Sequence, residues 1–280
     1  MALIKVDEQN KELHYDDKLV ANLDKVKKSV MTQGWDHASV VAGIPGAGKS
    51  TLAQQLCKYL DTNFSNDNIC FTAKDFIQKT TYGNKGQAFM LDESFADMNS
   101  NLSRSPEFIA LMNHIQLIRQ RGLYLILVLP DFFSLNKNIA VFRTSYLFVV
   151  YAEDYKRGAV AVFDRKTKRE LYIKGKPFLN YQAVHPNFRC RFTGRWLVDY
   201  ERYEREKFEH LKKGAEVKEK ESKHSKTLYL LCSILKYNYG LKFDEVEKIL
   251  NTPKSTLRHW AEKGKEGYLA IKGLIPGLNK

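Results

Sequence analysis

The stretch VVAGIPGAGKSTLAQQL, Val40–Leu56, decides how the rest of the chain is read. Within it, Gly43–Ser50 (GIPGAGKS) fits the spacing G-x-x-x-x-G-K-[ST], placed between an apolar run that reads as a strand and an amphipathic run that reads as a helix. Each position has a physical reason. Gly43, Gly46 and Gly48 let the backbone turn tightly, so that successive N–H groups, including those of Ile44, Pro45's neighbours and Ala47, face inward toward phosphate oxygens. The helix N-terminus that follows adds the positive end of its dipole. Lys49 is placed to neutralise β and γ phosphates, Ser50 to hold Mg²⁺ through its hydroxyl, and Thr51 to assist at the α phosphate. The expected ligand is ATP with Mg²⁺.

Outward from this loop, short apolar runs alternate with amphipathic stretches, which predicts an α/β domain with a mainly parallel sheet. Strands are expected at residues 38–43, 68–73, 87–93, 123–130 and 146–154, with helices starting near Gly48, Lys74 and Ser105. Ser105-Pro106-Glu107 combines a capping hydroxyl, a proline suited to the first turn and an acid that complements the dipole; Gly122 is the expected stop. The run Ala88–Leu91 reads as a strand buried on both faces, from which Asp92 emerges toward the Mg²⁺ shell and Glu93 toward an attacking water. An Asp-Glu pair in this setting resembles the additional-strand, catalytic-glutamate type of P-loop NTPase.

The 280 residues allow one main domain and a minor one, and the composition, 44% hydrophobic and 28% charged, is that of a globular protein. No apolar run is long enough to span a bilayer, and the N-terminus carries charges where a secretion signal needs apolar residues, so a cytoplasmic protein without membrane contact is expected. The four cysteines, Cys57, Cys70, Cys190 and Cys232, form no pair with metal-ligand spacing. The net charge of +13 favours a polyanionic partner, of which nucleic acid is the commonest.

The segments MLDESFADMNS (Met90–Ser100) and LMNHIQLIRQRGLYLILVLPDFFSLNKNIAVFRTSYLFVVY (Leu111–Tyr151) carry a family resemblance. Over about residues 38–154 the chain resembles the FtsK/HerA superfamily of ATPases, most of all its Zot-like, phage and mobile-element branches. The resemblance implies a DNA motor that assembles as a ring or transient oligomer. It also implies an arginine supplied across a subunit boundary, for which Arg119, Arg121, Arg143 and Arg104 are the candidates. An arginine of this kind stabilises the charge that spreads over the transferred phosphoryl group. The chain departs from the family where a polar sensor residue is expected: Pro130 stands there, with Asp131 or Asn136 as substitutes. Zot proteins of filamentous phages carry a membrane segment, which is missing here.

Beyond the core, Gly158–Pro177 (GAVAVFDRKTKRELYIKGKP) alternates in a way that predicts a β-hairpin, with Arg165, Lys166, Lys168 and Arg169 at a basic tip suited to a DNA backbone. Residues 201–226 read as a charged helix or linker. From residue 227 to 280 a small all-α domain is expected: FDEVEKIL, a turn at NTP, then a helix from Lys254 to Lys263. That arrangement suits a helix-turn-helix whose Lys254, Ser255, Thr256, Arg258 and His259 face double-stranded DNA, over a core of Val246, Ile249, Leu250, Leu257 and Trp260. The expected organisation is therefore a hairpin and helix over 1–37, an ATPase domain over 38–200, the linker, and the helical domain. The expected activity is DNA-stimulated ATP hydrolysis for DNA translocation, packaging or transfer. A DNA-binding regulatory ATPase that does not translocate is the alternative, and a kinase comes third.

Overall fold

The computed structural model describes residues 3–5, 14–92, 106–153 and 156–272. Glu93, Arg104 and the Ser105 cap lie outside the described residues. The chain divides into two units, residues 1–208 and 209–280.

The first unit is α/β, with a mostly parallel seven-stranded mixed sheet. A two-stranded antiparallel pair, β1 (Leu3–Lys5) and β2 (His14–Asp16), leads into α1 (Asp17–Gln33). Asp16 caps α1 by accepting from the Lys18 N–H at 3.0 Å, and Gly34, at φ 69°, ends it. Leu19, Leu23, Val26 and Val30 recur at helical spacing and are buried. The parallel core is built from β3 (His37–Gly43), β4 (Ile69–Cys70), β5 (Ala88–Asp92), β6 (Tyr124–Leu129) and β7 (Tyr146–Glu153), extended antiparallel by β8 (Lys156–Phe163) and β9 (Phe188–Arg191). The order across the sheet is β4-β5-β6-β3-β7-β8-β9, so β6 lies between β5 and β3.

Strand alternation sends side chains into two cores. On one face, Val41, Met90, Ile126 and Phe148 pack with α1 and with α2 (Lys49–Leu60). On the other, Val40, Leu91, Leu127 and Leu147 pack with α3 (Ala73–Thr81), α4 (Pro106–Leu117) and α5 (Arg165–Gly175). Every residue of β3, β5 and β6 is buried, which is why these strands read as mainly apolar runs. Among the described residues, no helix is long and apolar enough to cross a membrane.

The structure corrects the hairpin expected over 158–177. β8 pairs with β7 before it and with β9 beyond the basic run, not with the residues that follow it. Arg165 to Gly175 is helix α5, capped by the Asp164 carboxylate, which accepts from the N–H groups of Lys166 and Thr167. Its Lys168, Leu171, Tyr172 and Gly175 form the buried stripe. The second unit holds most of α6 (Tyr200–Ser233), a π-helical turn (Ile234–Asn238), α7 (Phe243–Leu250) and α8 (Lys254–Lys272), the last longer than expected. Its core is Cys232, Val246, Leu257 and Ala261, with Leu250 and Trp260 packed against it. Ile249, expected in that core, is 59% exposed.

Candidate functional site

β3 leaves the sheet at Gly43, where φ is 144° and an added Cβ would stand 2.0 Å from the Val150 carbonyl oxygen of β7. A side chain there would push the neighbouring strand out of register. Gly46 and Gly48 also take left-handed backbone, at φ 76° and 102°. Gly48 precedes the first turn of α2, and no side chain caps that turn. Its first N–H groups are thus left without a side-chain cap, as an anion site at a helix start needs. Lys49 is buried, and its Nζ donates to the Ile44 carbonyl oxygen at 3.1 Å, so the ammonium is folded over the loop. Ile44, Pro45 and Gly46 are exposed, Ala47 is buried and Thr51 is half-buried.

The acid comes from two strands away. Parallel pairing aligns Asp92 of β5 with Val128 of β6, and Val128 with Val41 of β3, so Asp92 stands at the same sheet edge as the loop. Its carboxylate is fully buried and accepts from the Ser50 hydroxyl at 3.2 Å. A hydroxyl beside a carboxylate is a pair of hard oxygen donors, the type Mg²⁺ takes, and the residues fit that ion.

Two residues from far along the chain complete this site. Gln54 and Gln55 of α2, both fully buried, bind the strap that follows β9: Gln54 accepts from the Leu197 N–H at 3.0 Å, and Gln55 donates to the carbonyls of Thr193 and Arg195 at 2.8 and 2.7 Å. Asn66 and Asp199 exchange two bonds and fix the strap's end. That places α6 over the acid. The Tyr203 hydroxyl donates to Asp92 Oδ2, and Lys207 Nζ lies 3.4 Å from the same oxygen and 3.2 Å from the Tyr203 hydroxyl. Burial, and then the Asp92 charge, raise the Tyr203 pKa, so it stays a donor. Phe71 and Trp196 hold its ring, with centroids at 5.6 and 4.6 Å. Arg157 is a further cation nearby: its Nη2 would lie 4.0 Å from a Cβ built on Gly46. Neither Tyr203 nor Lys207 has a sequence signal of its own, because both sit in a charged helical run where a tertiary contact leaves no periodic trace.

The structure places the arginines elsewhere. Tyr124 at the start of β6 pairs with His37 at the start of β3, so the turn carrying Arg119 and Arg121 lies at the sheet edge opposite the loop, about 20 Å away at 3.3 Å per residue. Both are exposed, and Arg119 stacks over Trp35 at 5.6 Å. Arg143, at the same far edge, is taken up in a nearly buried ion pair with Asp36 and donates Nε to the Ile115 carbonyl at 2.6 Å. In this structure the side chain is held within the fold rather than presented at the surface. Of the sensor substitutes, Asp131 accepts from the Tyr181 hydroxyl at 2.8 Å, and Asn136 accepts from the Asn138 N–H at 2.8 Å within its own turn.

The residues expected at DNA divide the same way. Lys168 is fully buried, its Nζ bonded to Ala140 O and Thr144 O at 2.5 Å and to Thr144 Oγ1 at 2.7 Å, so it does not reach a nucleic acid. Arg165, Lys166 and Arg169 are not clustered on a hairpin tip but lie on α5, where Arg165 and Lys166 are exposed and Arg169 too. On α8, Lys254, Ser255, Arg258 and His259 are exposed and Thr256 half-buried. Lys254 pairs with Asp244, and the Arg258 guanidinium lies 5.9 Å from the Phe243 ring centre. No family model, no curated protein and no solved structure matches the chain.

Proposed function

We propose that the chain is a P-loop ATPase of the additional-strand type that binds DNA. One observation carries this reading: β6 is inserted between the loop strand and the acid strand, and Asp92 still comes to 3.2 Å from the Ser50 hydroxyl that opens α2. In this reading the loop's N–H groups and Lys49 hold the phosphate tail, and Arg157 adds positive charge beside Gly46. Ser50 and Asp92 hold Mg²⁺, which supplies divalent charge to the phosphate oxygens when bound. Glu93, next in sequence to Asp92, orients the attacking water. The exposed cations of α8, in a helix-turn-helix, supply contact with duplex DNA, and translocation or packaging in a viral or mobile element is the motor form. Self-association then brings a cation, Arg119 or Arg121, from a neighbouring copy.

The regulatory form, which hydrolyses ATP without translocating, is the second reading, and the Arg143–Asp36 pair, which holds one finger candidate within its own fold, favours it. The test is ATP turnover by the full chain with and without double-stranded DNA, alongside Lys49→Ala and Glu93→Gln. Expected are turnover stimulated by DNA, loss of nucleotide binding in Lys49→Ala, and binding without turnover in Glu93→Gln, a loss of about 100-fold or more. Nucleotide binding that survives Lys49→Ala would sink the reading.

A further inference from the structure

We infer that Tyr203 and Lys207 of α6 belong to the metal end of the nucleotide site, with Lys207 as the counter-cation that Mg²⁺ replaces and Tyr203 as the residue that keeps Asp92 oriented for it. The inference rests on the ATPase reading above.

Asp92 is fully buried, and a buried carboxylate needs a compensating charge and hydrogen bonds. Its two oxygens are used differently. Oδ1 faces the Ser50 hydroxyl at 3.2 Å, the side on which a cation shared with Ser50 has to sit. Oδ2 takes the Tyr203 hydroxyl and, at 3.4 Å, the Lys207 ammonium. Lys207 thus supplies positive charge to the carboxylate that Mg²⁺ would use. Two cations on one carboxylate repel each other at this range, and the one on a flexible stem gives way. Lys207 is 28% exposed, so its ammonium has an open route to water, whereas Tyr203 is wedged between Trp196 and Phe71 and stays. Once the lysine leaves, Tyr203 continues to donate to Oδ2 and holds the carboxylate plane with Oδ1 toward Ser50. The two residues therefore act in opposite senses on the metal: the lysine competes with it, and the tyrosine supports it.

Metal affinity separates these roles from a merely structural one. The full chain is saturated with a nonhydrolysable ATP analogue and titrated with Mn²⁺, followed by electron paramagnetic resonance. Nucleotide affinity is measured separately in EDTA. Lys207→Met and Lys207→Gln are expected to bind Mn²⁺ roughly fivefold more tightly than the natural protein, and Tyr203→Phe roughly threefold more weakly. All three should keep their metal-free nucleotide affinity within about twofold, since the pair touches the acid and not the loop. A structural role would lower the unfolding temperature without separating metal affinity from nucleotide affinity. Mn²⁺ affinity that is unchanged or weaker in both lysine variants overturns the inference while leaving the ATPase reading intact. A natural protein that binds neither the analogue nor Mn²⁺ overturns both.

Discussion

Arg143 and Asp36 form an ion pair of which only 11% and 6% of the side chains is exposed, and Arg143 also closes onto the Ile115 carbonyl of α4. Burial raises the Asp36 pKa, against the opposing pull of the Arg143 guanidinium. An acid held this way depends on its partner. Replacing the arginine leaves a buried carboxylate without its main counter-charge, and the expected loss is about 3 kcal/mol. Arg143→Met should therefore lower the denaturant midpoint clearly while leaving ATP-analogue affinity unchanged, because the pair stands at the sheet edge away from the glycine loop. A variant of normal stability that loses turnover instead would return Arg143 to the role of finger. The residue type alone could not separate these roles: an arginine before a core strand looks the same whether it points outward or closes a salt bridge. Asp36, its partner in the structure, is more than a hundred residues earlier in the chain.

At the level of elements, the parallel strands were legible, while β9 and helix α5 were not read. Five parallel strands lie where mainly apolar runs placed them, because a strand buried on both faces favours apolar residues, and the polar exceptions in β3, His37 and Ser39, bond each other. The second is shorter than expected: it stops at Cys70, since the Thr72 hydroxyl already caps α3 by accepting from the Asp75 N–H at 3.1 Å. Gly158–Pro177 misled because its first half does alternate, in β8. The second half carried a readable helix signal, Asp164 at a capping position and Leu171 and Tyr172 following Lys168 by three and four residues, and the basic residues disguised the buried stripe. Lys168 shows why a charge can belong to that stripe. It ties α5 to the π-helical turn Asn138–Arg143 by bonding three oxygens at its end. Burial first, then the nearby Arg165 charge, lower its pKa to about 7. The unfolded chain keeps the lysine proton up to about pH 10. Between about pH 7 and 10 the unfolded state thus binds more protons than the folded one, and stability from this group rises with pH across that window and falls as pH drops toward 7. The slope is at most about 1.4 kcal/mol per pH unit. Urea midpoints at pH 7 and pH 9 should show this rise in the natural protein and a flatter dependence in Lys168→Met; equal slopes would show that Lys168 is charged throughout.

At the scale of the molecule, a net charge of +13 has to be divided between charges that hold the fold and charges that meet a partner. Lys49, Arg143 and Lys168 are buried or nearly so and are spent within the first unit. In the second unit the cations at the start of α8 are exposed, above a core in which Val246 and Leu257 are fully buried. Substituting them should therefore alter binding without altering folding. If these cations meet phosphates, each contact releases counterions, and the logarithm of affinity falls with the logarithm of salt by about 0.9 per contact. The double variant Lys254→Ala, Arg258→Ala should bind duplex DNA roughly tenfold more weakly near physiological salt and reduce that slope by about 1 to 2. The lower figure applies if Lys254 remains engaged with Asp244 in the complex. Fluorescence anisotropy with a labelled duplex across a salt series measures both quantities, with Lys49→Ala as a control that should bind the duplex normally in the absence of nucleotide. An unchanged slope in the double variant would move the DNA contact away from α8, and the exposed cations of α5 would then be the next to substitute.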